Sequence, residues 1–121
     1  MKSITTEGKP ILRTLIIKNV SEDGKLRFGV NNFQQSIQIL KFGQEEGKKI
    51  KSLRITDCQN LFQLDLSNLV NLEKLSLRNS KWIEVKGAKN IIPKFKLVVK
   101  DCEEVNLDWL EETNVGEKKI E

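Results

Sequence analysis

The sequence predicts a single-domain, β-rich repeat solenoid, with one short parallel sheet, a second extended wall and few helices. Three observations carry that reading. Pairs of aliphatic residues return at a step of 22 residues. Each pair has the two-residue spacing that puts both side chains on one face of a strand. The stretches between them hold Asn, Gly and Pro, which favour turns over long helices.

Taken in order, residues 1–14 are read as an N-terminal cap, because a stacked array leaves open ends that must be covered. Leu15, Ile17 and Val20 begin the series and Ile37, Ile39 and Phe42 repeat it 22 residues later. The interval from Ile37 to Leu53 shortens to 16 residues and contains the charged, glycine-bearing stretch 43–49, read as one tightened turn. Leu53, Ile55 and Cys58 are then followed by Leu75, Leu77 and Ser80 and by Leu97, Val99 and Cys102, again in steps of 22, giving about five coils over 15–100. A second series falls half a turn away: Leu26 with Phe28, Leu64 with Leu66, and Val85. It predicts extended backbone on the other wall of each coil. Asn60, Asn68 and Asn71 mark turns in the middle of the chain, and Gly87 and Pro93 interrupt any helix in the next coil. Residues 101–121 are read as the end of the last strand followed by an acidic cap and tail. There Asp108 is placed to cap a short helix over 109–112, Trp109 and Leu110 cover the last coil, and 117–121 fray.

The units have the form LxxLxLxx followed by a small or apolar residue, as in Ile50, Leu53, Ile55, Cys58 and in Leu72, Leu75, Leu77, Ser80. In this the sequence resembles the leucine-rich repeat family over roughly 12–107, most clearly in 53–77, and is similar to its short cysteine-bearing variants. The column that the commonest repeats give to Asn reads Val20, Phe42, Cys58, Ser80 and Cys102 here, so the family's Asn ladder cannot form. The resemblance implies a concave parallel sheet and a role in binding other proteins. It also leaves a place for the chain as a fragment or relative of a larger leucine-rich-repeat receptor or effector. Its start at Met1 and its candidate end caps favour a chain that stands alone.

Composition narrows the chemistry. The 121 residues are 38% hydrophobic and 31% charged, a balance for a soluble globular chain. Neither a membrane span nor a secretory signal is visible, which places it in the cytoplasm. His and Tyr are absent, removing the commonest general base and the His-dependent nucleophile and metal arrangements. Two cysteines are too few for a disulfide framework or a thiolate zinc site. They lie two coils apart in one inward column, beyond disulfide reach, and are read as structural. No phosphate-binding glycine motif occurs. The acidic pairs Glu45–Glu46 and Glu103–Glu104 lie in polar runs and are read as solvated. No catalytic residue, cofactor or metal is assigned, and the chain is read as a non-enzyme.

Charge is segregated. Residues 101–121 carry eight acids against Lys118 and Lys119, a local balance of −6, leaving +10 on residues 1–100 of a chain whose net charge is +4. If the LxL side chains point inward, the outward columns are Thr14, Ile16 and Lys18; Ser36, Gln38 and Leu40; Ser52, Arg54 and Thr56; Lys74, Ser76 and Arg78; and Lys96, Val98 and Lys100. Six of these fifteen are basic and none is acidic. The predicted function is a protein-protein interaction module that presents this face to an acidic partner surface. Arg54, Lys74, Arg78, Lys96 and Lys100 are its contact residues, with Leu40 and Val98 as apolar contacts and Trp82 either a further one or packed into the irregular coil around Ile83 and Val85. Nucleic-acid binding is the alternative that a pI near 9.1 suggests. The lack of aromatic residues in the outward columns weighs against it. A further possibility is that the acidic tail folds back over the basic face.

Overall fold

The structure is a computed structural model that describes residues 13–81, 83–91, 94–102, 107–113 and 115–121. Most of the expected N-terminal cap lies outside this set. Among the described residues, the chain forms β1 (Thr14–Ile17), β2 (Lys25–Phe28), α1 (Asn32–Gln35), β3 (Ile39–Phe42), α2 (Gln44–Lys49), β4 (Ser52–Thr56), β5 (Gln63–Asp65), β6 (Lys74–Arg78), β7 (Glu84–Lys86), β8 (Phe95–Lys100) and β9 (Val115–Ile120). Short 3-10 turns occupy Ala88–Asn90 and Asp108–Glu112. No helix among the described residues is long and apolar enough to cross a membrane.

The strands build two parallel sheets, one in the order β1-β3-β5-β7 and the other β2-β4-β6-β8-β9. As far as β8, successive strands therefore alternate between the two. Each sheet hides one face in a shared apolar core. From the even-numbered sheet come the rows Leu26, Leu53, Leu75, Leu97 and Phe28, Ile55, Leu77, Val99. From the odd-numbered sheet comes the row Leu15, Leu40, Leu64, Val85. Leu61, Leu66, Leu69, Leu72 and Ile91, on the connections, close the sides of the same cluster.

This arrangement corrects the phase expected for the first two units. Leu15 and Ile17 do not stack under Leu53 and Ile55; β1 lies in the odd-numbered sheet, with Leu15 opposite Leu40 and Ile17 opposite Phe42. Leu26 and Phe28 lead the even-numbered sheet instead, opposite Leu53 and Ile55, 27 residues on. The longer step makes room for α1, β3 and α2. The stretch read as a tightened turn is largely α2, with Glu45 and Glu46 in its first turn and Lys48 and Lys49 in its last, both favourable to the helix dipole. Gly47 lets that helix lie directly on the backbone of Asn68, where a Cβ would have no room.

Polar side chains bind each layer to the one before it. Asn60, Asn68, Asn71 and Asn90 donate their side-chain amides to the carbonyls of Gln35, Phe42, Lys48 and Ser67, each 23 to 26 residues earlier. Asp57, Asn79 and Asp101 turn the chain out of β4, β6 and β8 in the left-handed region, at φ of 56°, 44° and 53°, a conformation that Asn and Asp tolerate better than other side chains.

At the C-terminus the expected short helix is the 3-10 turn Asp108–Glu112. Its N-cap position is Leu107, and no side chain makes the cap bond. Trp109 stacks on Phe95 with ring centroids 6.5 Å apart and planes 6° from parallel, covering the end of the core as read from the sequence. The fraying expected over 117–121 is not found: β9 pairs with β8 from Val115 to Ile120, and Glu121 N donates to Val99 O at 2.8 Å. The reason is geometric, since β8 would otherwise leave a full edge of unpaired backbone groups.

Gly29, just past β2, has φ of 102°, and a Cβ there would run into the Thr56 carbonyl oxygen. Gly29→Ala is therefore expected to destabilise the protein by about 2 kcal/mol or more, measured as a lower urea midpoint. An unchanged midpoint would show that this loop does not pack against β4 as described.

Candidate binding face

The outer face of the even-numbered sheet is set by the alternation of its strands. With Leu26, Leu53, Leu75 and Leu97 inward, the residues on either side of each must point out. The register places Lys25, Ser52, Lys74 and Lys96 in one column, Arg27, Arg54, Ser76 and Val98 in the next, and Thr56, Arg78 and Lys100 in a third. Seven of these eleven side chains are basic and none is acidic. The odd-numbered sheet differs: Lys41, Asp65, Glu84 and Lys86 mix both signs, with Lys86 and Glu84 3.7 Å apart.

Arg54, Lys74, Arg78, Lys96 and Lys100, singled out from the sequence, all share the basic face, and Val98 lies half-buried among them. Leu40 does not: it is fully buried in the core, because β3 belongs to the opposite sheet and the outward columns drawn through β1 and its repeat follow the wrong phase. Trp82 lies outside the described residues. Two members of the face, Lys25 and Arg27, are absent from the sequence expectation, which assigns Leu26 and Phe28 to the other wall. The Lys-Leu-Arg-Phe alternation of β2 matches that of β4 and β6, and this was the signal that could have placed them.

Charge is distributed unevenly along the face. Lys96 pairs with Glu117 of β9 at 3.1 Å, and Lys119 pairs with Glu121 at 3.2 Å. Among the described residues, Lys25, Arg27, Arg54, Lys74, Arg78 and Lys100 make no ion pair. The C-terminal segment thus adds a strand at one edge and pairs Lys96, and the cations of the face that make no ion pair lie on β2, β4 and β6 and at Lys100 of β8. Two adjoining hollows mark this region. One of about 360 Å³ lies at the C-terminal ends of these strands, and one of about 300 Å³ lies beside it; both are lined by Arg27 and Arg54.

The cysteines belong to a structural column behind the face. Cys58, Ser80 and Cys102 each donate to the carbonyl two residues earlier, those of Thr56, Arg78 and Lys100, at 3.3, 2.9 and 3.3 Å. Ser80 Oγ also accepts from Cys58 N at 3.2 Å. A short donor in this column closes the turn out of the strand. Both thiols are free. No group of three His, Cys, Asp or Glu side chains among the described residues is arranged to hold a metal ion.

Burial pushes the Cys58 thiol up to about 11. The folded chain holds it protonated, whereas the unfolded chain ionises it near its ordinary value of 9.0. Native stability is therefore retained below pH ~9 and falls as pH rises from there through ~11, by of order 2–3 kcal/mol for this group. Cys58→Ser is expected to remove that alkaline loss in urea titrations. At neutral pH iodoacetamide is expected to label Cys102 well before Cys58; equal rates would contradict the burial of Cys58.

No family model, curated protein or solved structure matches this chain.

Proposed function

We propose that the chain is a protein-interaction module that presents the outer face of its even-numbered sheet to an acidic patch on a partner protein in the cytoplasm, binding rather than catalysing. The observation that carries this reading is the cluster of unpaired cations on three adjacent strands, with no acidic residue at the outward positions of β2, β4, β6 or β8. Side chains fixed on paired strands need little ordering on binding. A field of one sign speeds encounter with an oppositely charged surface and weakens as salt rises.

The same reading takes the fold as a short solenoid of leucine-rich-repeat type. Alternation of strands between two parallel walls, left-handed turns at Asp57, Asn79 and Asp101 in steps of 22 residues, and the Cys58, Ser80, Cys102 column in the same step support it. In this view the basic face is the recognition wall that such arrays present.

A second reading, single-stranded nucleic acid, gains one observation: Phe33, on α1 just beyond β2, is 61% exposed and could stack on a base. The carboxylates of Asp57 and Asp101 at the end of the face disfavour a phosphodiester backbone there.

Charge reversal at Arg54, Lys74 and Arg78 together is expected to abolish capture of the partner that the wild-type chain retrieves, and wild-type capture is expected to weaken with added salt. Unchanged capture by a folded triple variant would remove this face from the reading. Micromolar, salt-sensitive binding of random-sequence oligonucleotides, measured by fluorescence anisotropy, would favour the second reading instead.

A further inference from the structure

The larger hollow carries an inference that rests on the proposed reading and narrows it to one ligand group. One wall is cationic. Arg27 and Arg54 stand directly opposite each other on paired strands, and Arg78 lies on the next strand, opposite Thr56. Like charges on neighbouring strands, about 5 Å apart, repel, and no acid among the described residues pairs with any of the three. An anion seated between them relieves that repulsion. Guanidinium groups bind a carboxylate through two parallel N–H···O bonds, which sets geometry as well as charge.

The other wall accepts. Asp57, Asn79 and Asp101 line it from their left-handed turns, and Asn79 Nδ2 donates to Asp57 Oδ1 at 2.7 Å. Two carboxylates there penalise a dianion but can receive N–H groups. The ligand that satisfies both walls carries one negative charge with N–H donors close by. An acidic side chain on a peptide backbone has that form.

The rim is apolar. Val30 lines the hollow and is 63% exposed. Gln34 Oε1 accepts from the backbone N–H groups of both Gly29 and Val30 at 2.9 Å, and this fastens α1, with the exposed Phe33, beside that segment. An exposed aromatic ring next to unpaired arginines matches the aromatic and Arg enrichment of recognition interfaces, and Val30 adds apolar surface beside them. The adjoining hollow continues the cationic wall through Lys25 and Lys74, in line for further acidic residues.

We propose that Arg27, Arg54 and Arg78 seat a single Asp or Glu carboxylate of a partner peptide, with Val30 and Phe33 receiving the apolar residue beside it. The test uses fluorescein-labelled peptides of alternating Leu and Glu, their Leu and Gln counterparts, a Leu and phosphoserine version and a single-stranded oligonucleotide. Each is titrated by anisotropy into the wild-type chain, an Arg27→Gln/Arg78→Gln variant, a Val30→Ser/Phe33→Ser variant and a Lys74→Gln/Lys100→Gln variant, with folding checked by thermal unfolding. The proposal expects the Glu peptide to bind at least tenfold tighter than the Gln peptide. It also expects the arginine variant to lose tenfold or more, the apolar variant about threefold to tenfold, and the lysine variant less than the arginine variant. Wild-type binding that survives in the arginine variant but falls in the lysine variant would overturn this seat while leaving the basic face as the binding surface. Equal binding of Glu and Gln peptides would overturn both. Tighter binding of the phosphoserine peptide or the oligonucleotide through the same arginines would overturn the carboxylate assignment.

Discussion

Neither sheet can bury its apolar side alone, and the structure depends on that constraint. Leu26, Leu53, Leu75 and Leu97 stack as one row and Leu40, Leu64 and Val85 as another, meeting in a single core that the connections close with Leu61, Leu66, Leu69 and Leu72. Burying each such side chain is worth about 1.5–3 kcal/mol, but only once the next layer is in place. Parallel pairing makes the chain return a full circuit later at the same height. The outward residues of the even-numbered sheet must then form columns. The basic face is thus a consequence of the aliphatic rows behind it.

Polar groups make the stacking specific. Apolar rows alone would tolerate slippage, since any aliphatic pair spaced by two fits the core. The Asn amides of 60, 68, 71 and 90 each find one carbonyl in the preceding layer, and a slip would leave these groups unpaired. The column of Cys58, Ser80 and Cys102 adds two such links at the turns out of the even-numbered sheet, where Cys58 N donates to Ser80 Oγ and Cys102 Sγ donates to Leu77 O. Trp109 on Phe95 and β9 on β8 finish the C-terminal end, and with β9 comes Glu117, which pairs with Lys96. End-covering and charge placement are therefore linked: the strand that protects the edge also pairs Lys96, leaving the unpaired cations of the face on β2, β4 and β6 and at Lys100 of β8.

How much of this was legible varies along the chain. From residue 53 to 100, the step of 22, the inward leucines and the outward arginines and lysines were readable because three units run in register without interruption. Before residue 53 the two walls were exchanged. A pair of aliphatics spaced by two carries no label for the sheet it belongs to, and the chance step of 22 from Leu15 to Ile37 imitates the true repeat. The sequence pattern therefore points Leu40 outward and hides Arg27. The hollow beside Arg27 depends on side chains from β2, β4 and β6 meeting the turns that follow them, a juxtaposition that spacing within one unit does not encode. Strand formation in the acidic tail was equally hidden, because the stretch Gly116, Glu117, Lys118, Lys119 has little intrinsic β preference and is held by pairing with β8.

The most direct test of the architecture is the proximity of β2 to β4. Pyrene attached at Arg27→Cys and Arg54→Cys, in a chain whose Cys58 and Cys102 are both replaced by Ser, should give excimer fluorescence, since the two positions are opposite each other on one face. Labels at Ile16→Cys and Arg54→Cys should give monomer emission alone, because β1 lies in the other sheet. The reverse pattern would contradict the alternation of strands and the basic face built on it.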